Sequence, residues 1–154
     1  MIKNVLISVA IVVTDQLAKC VIRCSPRGFS RELIPGFMRI THCMNSGAAF
    51  SFLSGQTALL IVCSLLLMTG ILLLVCRKMS LTAAAQSVCA SIIGGGISNL
   101  LDRLLFGGVT DYLEFTCIDF PVFNIADIAI TLSIITLLMM TFTGRLETTG
   151  EKHE

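Results

Sequence analysis

Four stretches of about twenty mainly apolar residues, about Ile2 to Ile22, Thr57 to Cys76, Leu81 to Phe106 and Ile125 to Phe142, leave this chain few folds to choose from. A helix of roughly 20 such residues crosses the ~30 Å hydrocarbon core of a bilayer, where every backbone amide must find its partner within the segment. Composition agrees: 55% of residues are hydrophobic and 14% charged, with a mean hydropathy of +0.88. Soluble domains carry roughly 25% charged residues, so too few are present here to cover a surface facing water. The expected fold is an all-α membrane protein, one domain over 1–154 with four transmembrane helices. A small, β-rich interfacial insertion (23–56) separates the first two spans, a loop (107–124) separates the last two, and a charged tail follows (143–154).

This composition excludes a disordered chain and a disulfide-scaffolded secreted domain. The net charge of +1 excludes a nucleic-acid binder, because no basic field exists to attract phosphates. Lys3 ahead of the apolar run Val5 to Val13 imitates a secretory signal, but no small-x-small cleavage site follows, and Asp15 and Lys19 continue the helix. Pro26, Gly28, Pro35, Gly36 and Gly47 forbid a long helix in the insertion, and the partial alternation of Phe37 to Cys43 predicts short strands there.

Seven cysteines, at 20, 24, 43, 63, 76, 89 and 117, show no metal-ligand spacing. Cys63, Cys76 and Cys89 read as small hydrophobes within apolar runs. Cys20, Cys24, Cys43 and Cys117 fall on one face, where an oxidising compartment would permit a disulfide whose pairing the sequence does not fix.

Four antiparallel spans bring the end of the first, the start of the second, the end of the third and the start of the fourth to one side. Asp15 and Lys19, the insertion, Asn99 with Asp102 and Arg103, the 107–124 loop, and Asn124 with Asp127 converge there. Polar groups are costly within a membrane, so their convergence predicts one functional site near that face. Lys3, Arg77, Lys78, Arg145 and Lys152 balance Arg23, Arg27, Arg31 and Arg39, so charge counting leaves the orientation open.

Three constellations carry the chemistry. Asp15 and Lys19, with Gln16 beside them, stand one helical turn apart and read either as a site pair or as a structural ion pair. Gly95, Asn99 and Arg103 step by four along the third span with Asp102 adjacent, while Gly94, Gly95 and Gly96 admit a close neighbour, either a helix or a ligand. Asp111 and Asp127 lie near the same boundary, three residues separating the latter from Asn124. Two carboxylates in a partly desolvated site do not both ionise easily, so one keeps a proton and the other activates water, as in an aspartic protease. Helix capping and interfacial solvation are the competing readings. The only histidines, His42 and His153, offer neither an H-E-x-x-H site nor a Ser-His-Asp triad, and Ser25 with Lys19 makes a poor Ser-Lys dyad.

The chain resembles the signal peptidase II family of bacterial inner-membrane aspartic proteases from Asp15 to Asp127. Its D-Q-x-x-K is Asp15-Gln16-Leu17-Ala18-Lys19, and its N-x-G-A-A-F is Asn45-Ser46-Gly47-Ala48-Ala49-Phe50. G-G-x-x-x-N-x-x-D-R covers Gly94 to Arg103, a G-x-V/T-x-D-like stretch runs Gly107 to Asp111, and F-N-x-A-D is Phe123 to Asp127. The resemblance implies an aspartic endopeptidase with Asp111 and Asp127 as its catalytic pair. Asn99, Arg103 and Asn124 would position that pair and the substrate backbone, Asp15, Lys19, Asn45 and Gly95 would line or brace the pocket, and Gly47 and Asp102 would support it.

It further implies an external active face with both termini cytoplasmic, the insertion as a sheet cradling the substrate, and no metal or cofactor. The substrate would be a diacylglyceryl-modified prolipoprotein cut before its lipidated cysteine. The implied partners are such prolipoproteins and membrane phospholipids, with no nucleic acid, and the enzyme is expected to act as a monomer. Ile128 departs from the small hydroxyl residue that often follows the last motif's aspartate, and with no Trp and only Tyr112, phenylalanines must replace an aromatic belt. A four-span transporter with an intramembrane carboxylate and a non-catalytic assembly subunit are the alternatives from other classes.

Overall fold

The computed structural model describes residues 1–47, 53–76 and 81–147. Ala48, Ala49 and Phe50, Arg77 and Lys78, and Lys152 and His153 lie outside the described residues. Among the described residues, four helices are long and apolar enough to span a membrane: α1 (Ile2–Arg23), α2 (Thr57–Cys76), α3 (Ala83–Phe106) and α4 (Ile125–Phe142). Three strands, β1 (Ser30–Ile34), β2 (Met38–Asn45) and β3 (Val109–Phe115), form an antiparallel sheet in that order.

Burial is inverted relative to a water-soluble protein. The largest fully buried side chains include Lys19, Asn124, Asp15, Asp102 and Asp111, whereas Leu66, Leu105 and Leu138 each leave more than half their surface exposed. That is the pattern expected when the solvent is hydrocarbon and polar groups must satisfy one another. Among the described residues, no buried side-chain nitrogen or oxygen lacks a hydrogen-bond partner.

Helix α3 is the hub, and its three glycines explain why. Successive residues on a helix point about 100° apart, so three in a row face three directions. A Cβ on Gly94 would meet the Ser8 backbone of α1 at 2.8 Å, one on Gly95 the Ala126 carbonyl of α4 at 2.7 Å, and one on Gly96 the Met68 sulfur of α2 at 2.9 Å. Each glycine therefore admits a different helix. Bonds from Asn4 to Gln86, Ser8 to Ala90 and Gln16 to Ser98 share a constant offset of 82 residues, so α1 and α3 run parallel. Gly95→Ala is expected to overpack the α3–α4 contact, costing about 1–3 kcal/mol and cutting activity by displacing the start of α4. Gly70→Ala, where a Cβ meets nothing within 4 Å, serves as the neutral control. Thermal unfolding and activity of the two purified variants compare them.

Two expectations need adjustment. Thr82 caps α3 by accepting from the Ala85 amide, so that helix begins at Ala83 and not at Leu81. Residues 107–124 are not simply a loop, because Val109–Phe115 pairs along β2 and completes the sheet begun in the insertion. A seven-residue strand carrying two acidic residues, Asp111 and Glu114, has a weak local signal, and its pairing partner lies far away in sequence.

Alternation along β3 has a direct result. Asp111, Leu113 and Phe115 line a cavity, whereas Thr110 and Tyr112 bond to Arg23 and Asp15 of α1. Glu114, also off the cavity face, accepts from Thr41 at 2.6 Å and from two nitrogens of Arg39, a pairing that holds its carboxyl below the ordinary range. Cys20, Cys24, Cys43, Cys63, Cys89 and Cys117 are all free thiols.

Candidate active site

The backbone after β3 turns back on itself. Phe123 exchanges backbone bonds with Leu113, 2.9 Å in one direction and 2.8 Å in the other, and its ring packs 5.2 Å from Phe115. That return sets Asn124 beside Asp111 just before α4 begins. Asn124 is the N-cap of α4: its Oδ1 accepts from the Asp127 amide at 2.8 Å, and Asp127 Oδ2 accepts from the Asn124 amide at 3.2 Å. The reciprocal pair is a capping box, which orders the first helical turn and fixes the Asp127 carboxylate. The capping reading of this spacing therefore holds, and the capping carboxylate of Asp127 also lines a cavity.

Three asparagines share one device. Each has its Oδ1 held by an unambiguous donor, leaving its amide nitrogen aimed at an aspartate. Asn124 Nδ2 donates to Asp111 Oδ1 at 2.6 Å. Asn45 Oδ1 accepts from the Gly47 amide at 2.9 Å, and Asn45 Nδ2 donates to Asp111 Oδ2 at 2.9 Å. Asn99 Oδ1 accepts from Lys19 Nζ at 2.8 Å, while Asn99 Nδ2 donates to Asp127 Oδ1 at 2.8 Å. The bonds on each Oδ1 determine which way the amides face. Every oxygen of the two carboxylates consequently has one donor, and Asn124 contacts both residues.

Both aspartates, with Asn45, Asn99 and Arg103, line a cavity of about 690 Å³ whose remaining walls are mainly apolar side chains of α2, α3, α4 and the sheet. Ile128 is part of that wall. Arg103 also donates to the Gly47 carbonyl at 3.3 Å, tying α3 to the end of β2. Asp111 is only 2% exposed; burial, and then the nearby Asp127 charge, push its carboxyl up to about 7 despite the donors from Asn45 and Asn124.

Asp15, Lys19 and Asp102 do not line this cavity; they brace it from behind. Lys19 Nζ lies 2.7 Å from Asp15 and 3.6 Å from Asp102, all three side chains fully buried. Asp102 turns toward α1 and accepts from Gln16 at 2.9 Å and Arg23 at 3.2 Å. Its other oxygen accepts from the Thr110 amide at 2.8 Å, one residue before Asp111. Asp15 accepts from Tyr112 Oη at 3.3 Å and from the Ala126 amide at 3.1 Å, one residue from each candidate catalytic carboxylate. Gly95 also braces, through Ala126.

Arg23, Ser98, Thr110 and Tyr112 belong to this cluster, and sequence reasoning missed them. Arg23 balances the second carboxylate, donates to Thr110 at 3.2 Å and sits 4.5 Å over the Phe106 ring. Its signal was present one turn beyond Lys19, on the same helical face. His42 bonds the Ser25 carbonyl at 2.7 Å and lies apart from the pair.

Comparisons with known proteins agree on one relationship. The family described as Signal peptidase (SPase) II matches residues 7–143. Proteins named lipoprotein signal peptidase from Staphylococcus aureus strains JH9 and Newman are each 30% identical over 154 residues, covering 98% of this chain and 92% of theirs. Two solved structures, described as bacterial membrane enzymes determined by the in meso method at 2.3 and 1.9 Å resolution, superpose with TM-scores of 0.89 and 0.84. They share 28% and 29% identity, covering 100% and 92% of this chain and 94% and 93% of theirs.

Proposed function

Because the chain belongs to the signal peptidase II family, multi-pass membrane proteases that remove signal peptides from prolipoproteins, we propose that it does so as an aspartic endopeptidase with Asp111 and Asp127 as its catalytic pair. Membership of a protease family displaces the transporter and assembly-subunit alternatives. The observation that carries the catalytic reading is the placement of both carboxylates on the wall of one largely apolar cavity, each oxygen held by a donor.

A water between the carboxylates attacks the scissile carbonyl. Asp111, raised to about 7, keeps a proton near neutrality and donates it toward the carbonyl oxygen, while Asp127 accepts the proton released by the water. Collapse of the tetrahedral intermediate breaks the C–N bond, and a proton passes to the departing amine of the mature protein. Asn45, Asn99 and Asn124 hold the carboxylates, and Arg103 faces the substrate backbone in the cavity. The apolar walls exclude bulk water and strengthen these interactions.

The proposed substrate carries diacylglyceryl on the cysteine just after the cleaved bond. Its acyl chains and apolar signal segment confine it to the plane of the pair, which supplies much of the proximity that catalysis needs. The active face is proposed to lie outside the bacterial cytoplasmic membrane, with both termini inside, and the enzyme to act as a monomer without metal or cofactor. The purified protein, given a prolipoprotein with or without the diacylglyceryl group, is expected to cut only the modified form. Mass spectrometry should place the new amino terminus on the modified cysteine. Equal cutting of the unmodified form, or a cut elsewhere, would remove this substrate assignment.

A further inference from the structure

A second cavity, of about 360 Å³, adjoins the larger one at Asp111. Asn45, Asp111, Pro121 and Val122 line both cavities, so these four residues form a waist with the candidate catalytic carboxylate in it. The two chambers differ in surroundings. The larger takes lining from α2, α3 and α4 as well as from the sheet and residues 120–123, whereas the smaller has none from the helices and is lined by the end of β2, Asp111 of β3 and loop residues, including Ser46 and Ser54. The Ser46 and Ser54 hydroxyls bond to each other at 2.8 Å, and the Gly55 amide donates to the Ser46 carbonyl at 3.3 Å. The smaller chamber therefore has a pinned rim with hydroxyls to offer.

A prolipoprotein branches at its modified cysteine. The signal segment and the acyl chains are apolar, and the chamber among the helices suits them. The mature polypeptide is the one polar arm, and it must leave toward water from an atom adjacent to the cut bond. Resting on the proposed peptidase reading, we infer that the smaller cavity is the subsite for the mature-chain residues directly after the modified cysteine. It selects small or polar residues there. Asp111 in the waist then stands where the two arms meet.

The test uses two diacylglyceryl-cysteine peptides cut by the full-length protein, one ending as an amide at the modified cysteine and one extended by a few small polar residues. The parent is expected to favour the extended peptide about tenfold in kcat/KM, the scale of one or two hydrogen bonds. Ser54→Phe, at an exposed turn position, fills the chamber and is expected to abolish that preference while leaving the short peptide unaffected. Ser54→Ala keeps the space and the Ser46 hydroxyl, and should retain part of the preference that Ser54→Phe abolishes. Equal cleavage of both peptides by the parent, or equal slowing of both by Ser54→Phe, overturns the subsite. Cleavage of neither peptide by the parent sinks the peptidase reading itself, and the subsite with it.

Discussion

Asp111→Asn and Asp127→Asn are each expected to lower cleavage of a lipidated prolipoprotein by roughly a thousandfold or more, within the range that proton transfer by a positioned group supplies. Asparagine keeps the size and polarity of the side chain but can neither take a proton from water nor give one to the carbonyl. The variants should remain folded, because the partners of Asp111 are amide donors that an Asn oxygen also satisfies in part. Wild-type-like cleavage by either folded variant would take that residue out of the reaction.

The same variant carries a pH signature. Asp111 is raised from an ordinary value near 3.8 to about 7, so between those limits the folded protein holds a proton that the unfolded chain has released. Stability of the parent should accordingly be greatest at low pH for this group and fall by about 4 kcal/mol as pH rises to about 7. Cleavage should decline as pH rises through the same value, because the donor loses its proton. Asp111→Asn mimics the protonated form and should remove this part of the stability slope, which unfolding midpoints measured from pH 5 to 8 would show.

Lys19→Met should have the largest effect on folding. Asp15, Lys19, Asp102 and Arg23 form a cluster of two carboxylates and two cations, three of them fully buried. Removing one partner of such a set strands a charge and costs about 3–5 kcal/mol, so a marked fall in the unfolding temperature is expected. Asp15→Asn combined with Lys19→Met restores neutrality, since Asp102 and Arg23 still balance, and should recover much of the lost stability. Activity should nevertheless remain about tenfold low. Without the ammonium, only the longer 3.3 Å bond from Asn124 Nδ2 remains on Asn99 Oδ1, so the grip of its amide on Asp127 loosens. Full recovery of activity with stability would mean that Lys19 has only a structural role.

The spans were legible because apolar length is a local property, and the convergence of polar groups followed from counting four crossings. Asp111 and Asp127 were legible as a pair from topology, and the motifs then singled them out. Strand β3 was not, since Val109–Phe115 becomes a strand through its pairing with β2. The division between Asp102, turned to α1, and Asn99 and Arg103, turned to the cavity, also escaped the four-residue spacing. Asn99 serves both sides, accepting from Lys19 of α1 while it lines the cavity, a double role that spacing alone does not show. The roles of Thr110 and Tyr112 depend on which face of an unrecognised strand they occupy.

The i, i+4 placement of Asp15 and Lys19 also bears on how the chain enters the bilayer. When α1 is first inserted, α3 has not yet been synthesised, and Asp102, Asn99 and Ser98 are absent. The two charges one turn apart neutralise each other within a single helix, so the first segment meets hydrocarbon as an ion pair and not as two separate ions. Asp102 arrives later, and Arg23, at the helix end, waits for it near the boundary where water persists. The order of the charges along the chain thus matches the order in which they can be sheltered during biogenesis. Reversing it by exchanging the carboxylates and cations between α1 and α3 would preserve the final inventory of charges while exposing the nascent protein to the cost of unpaired ones.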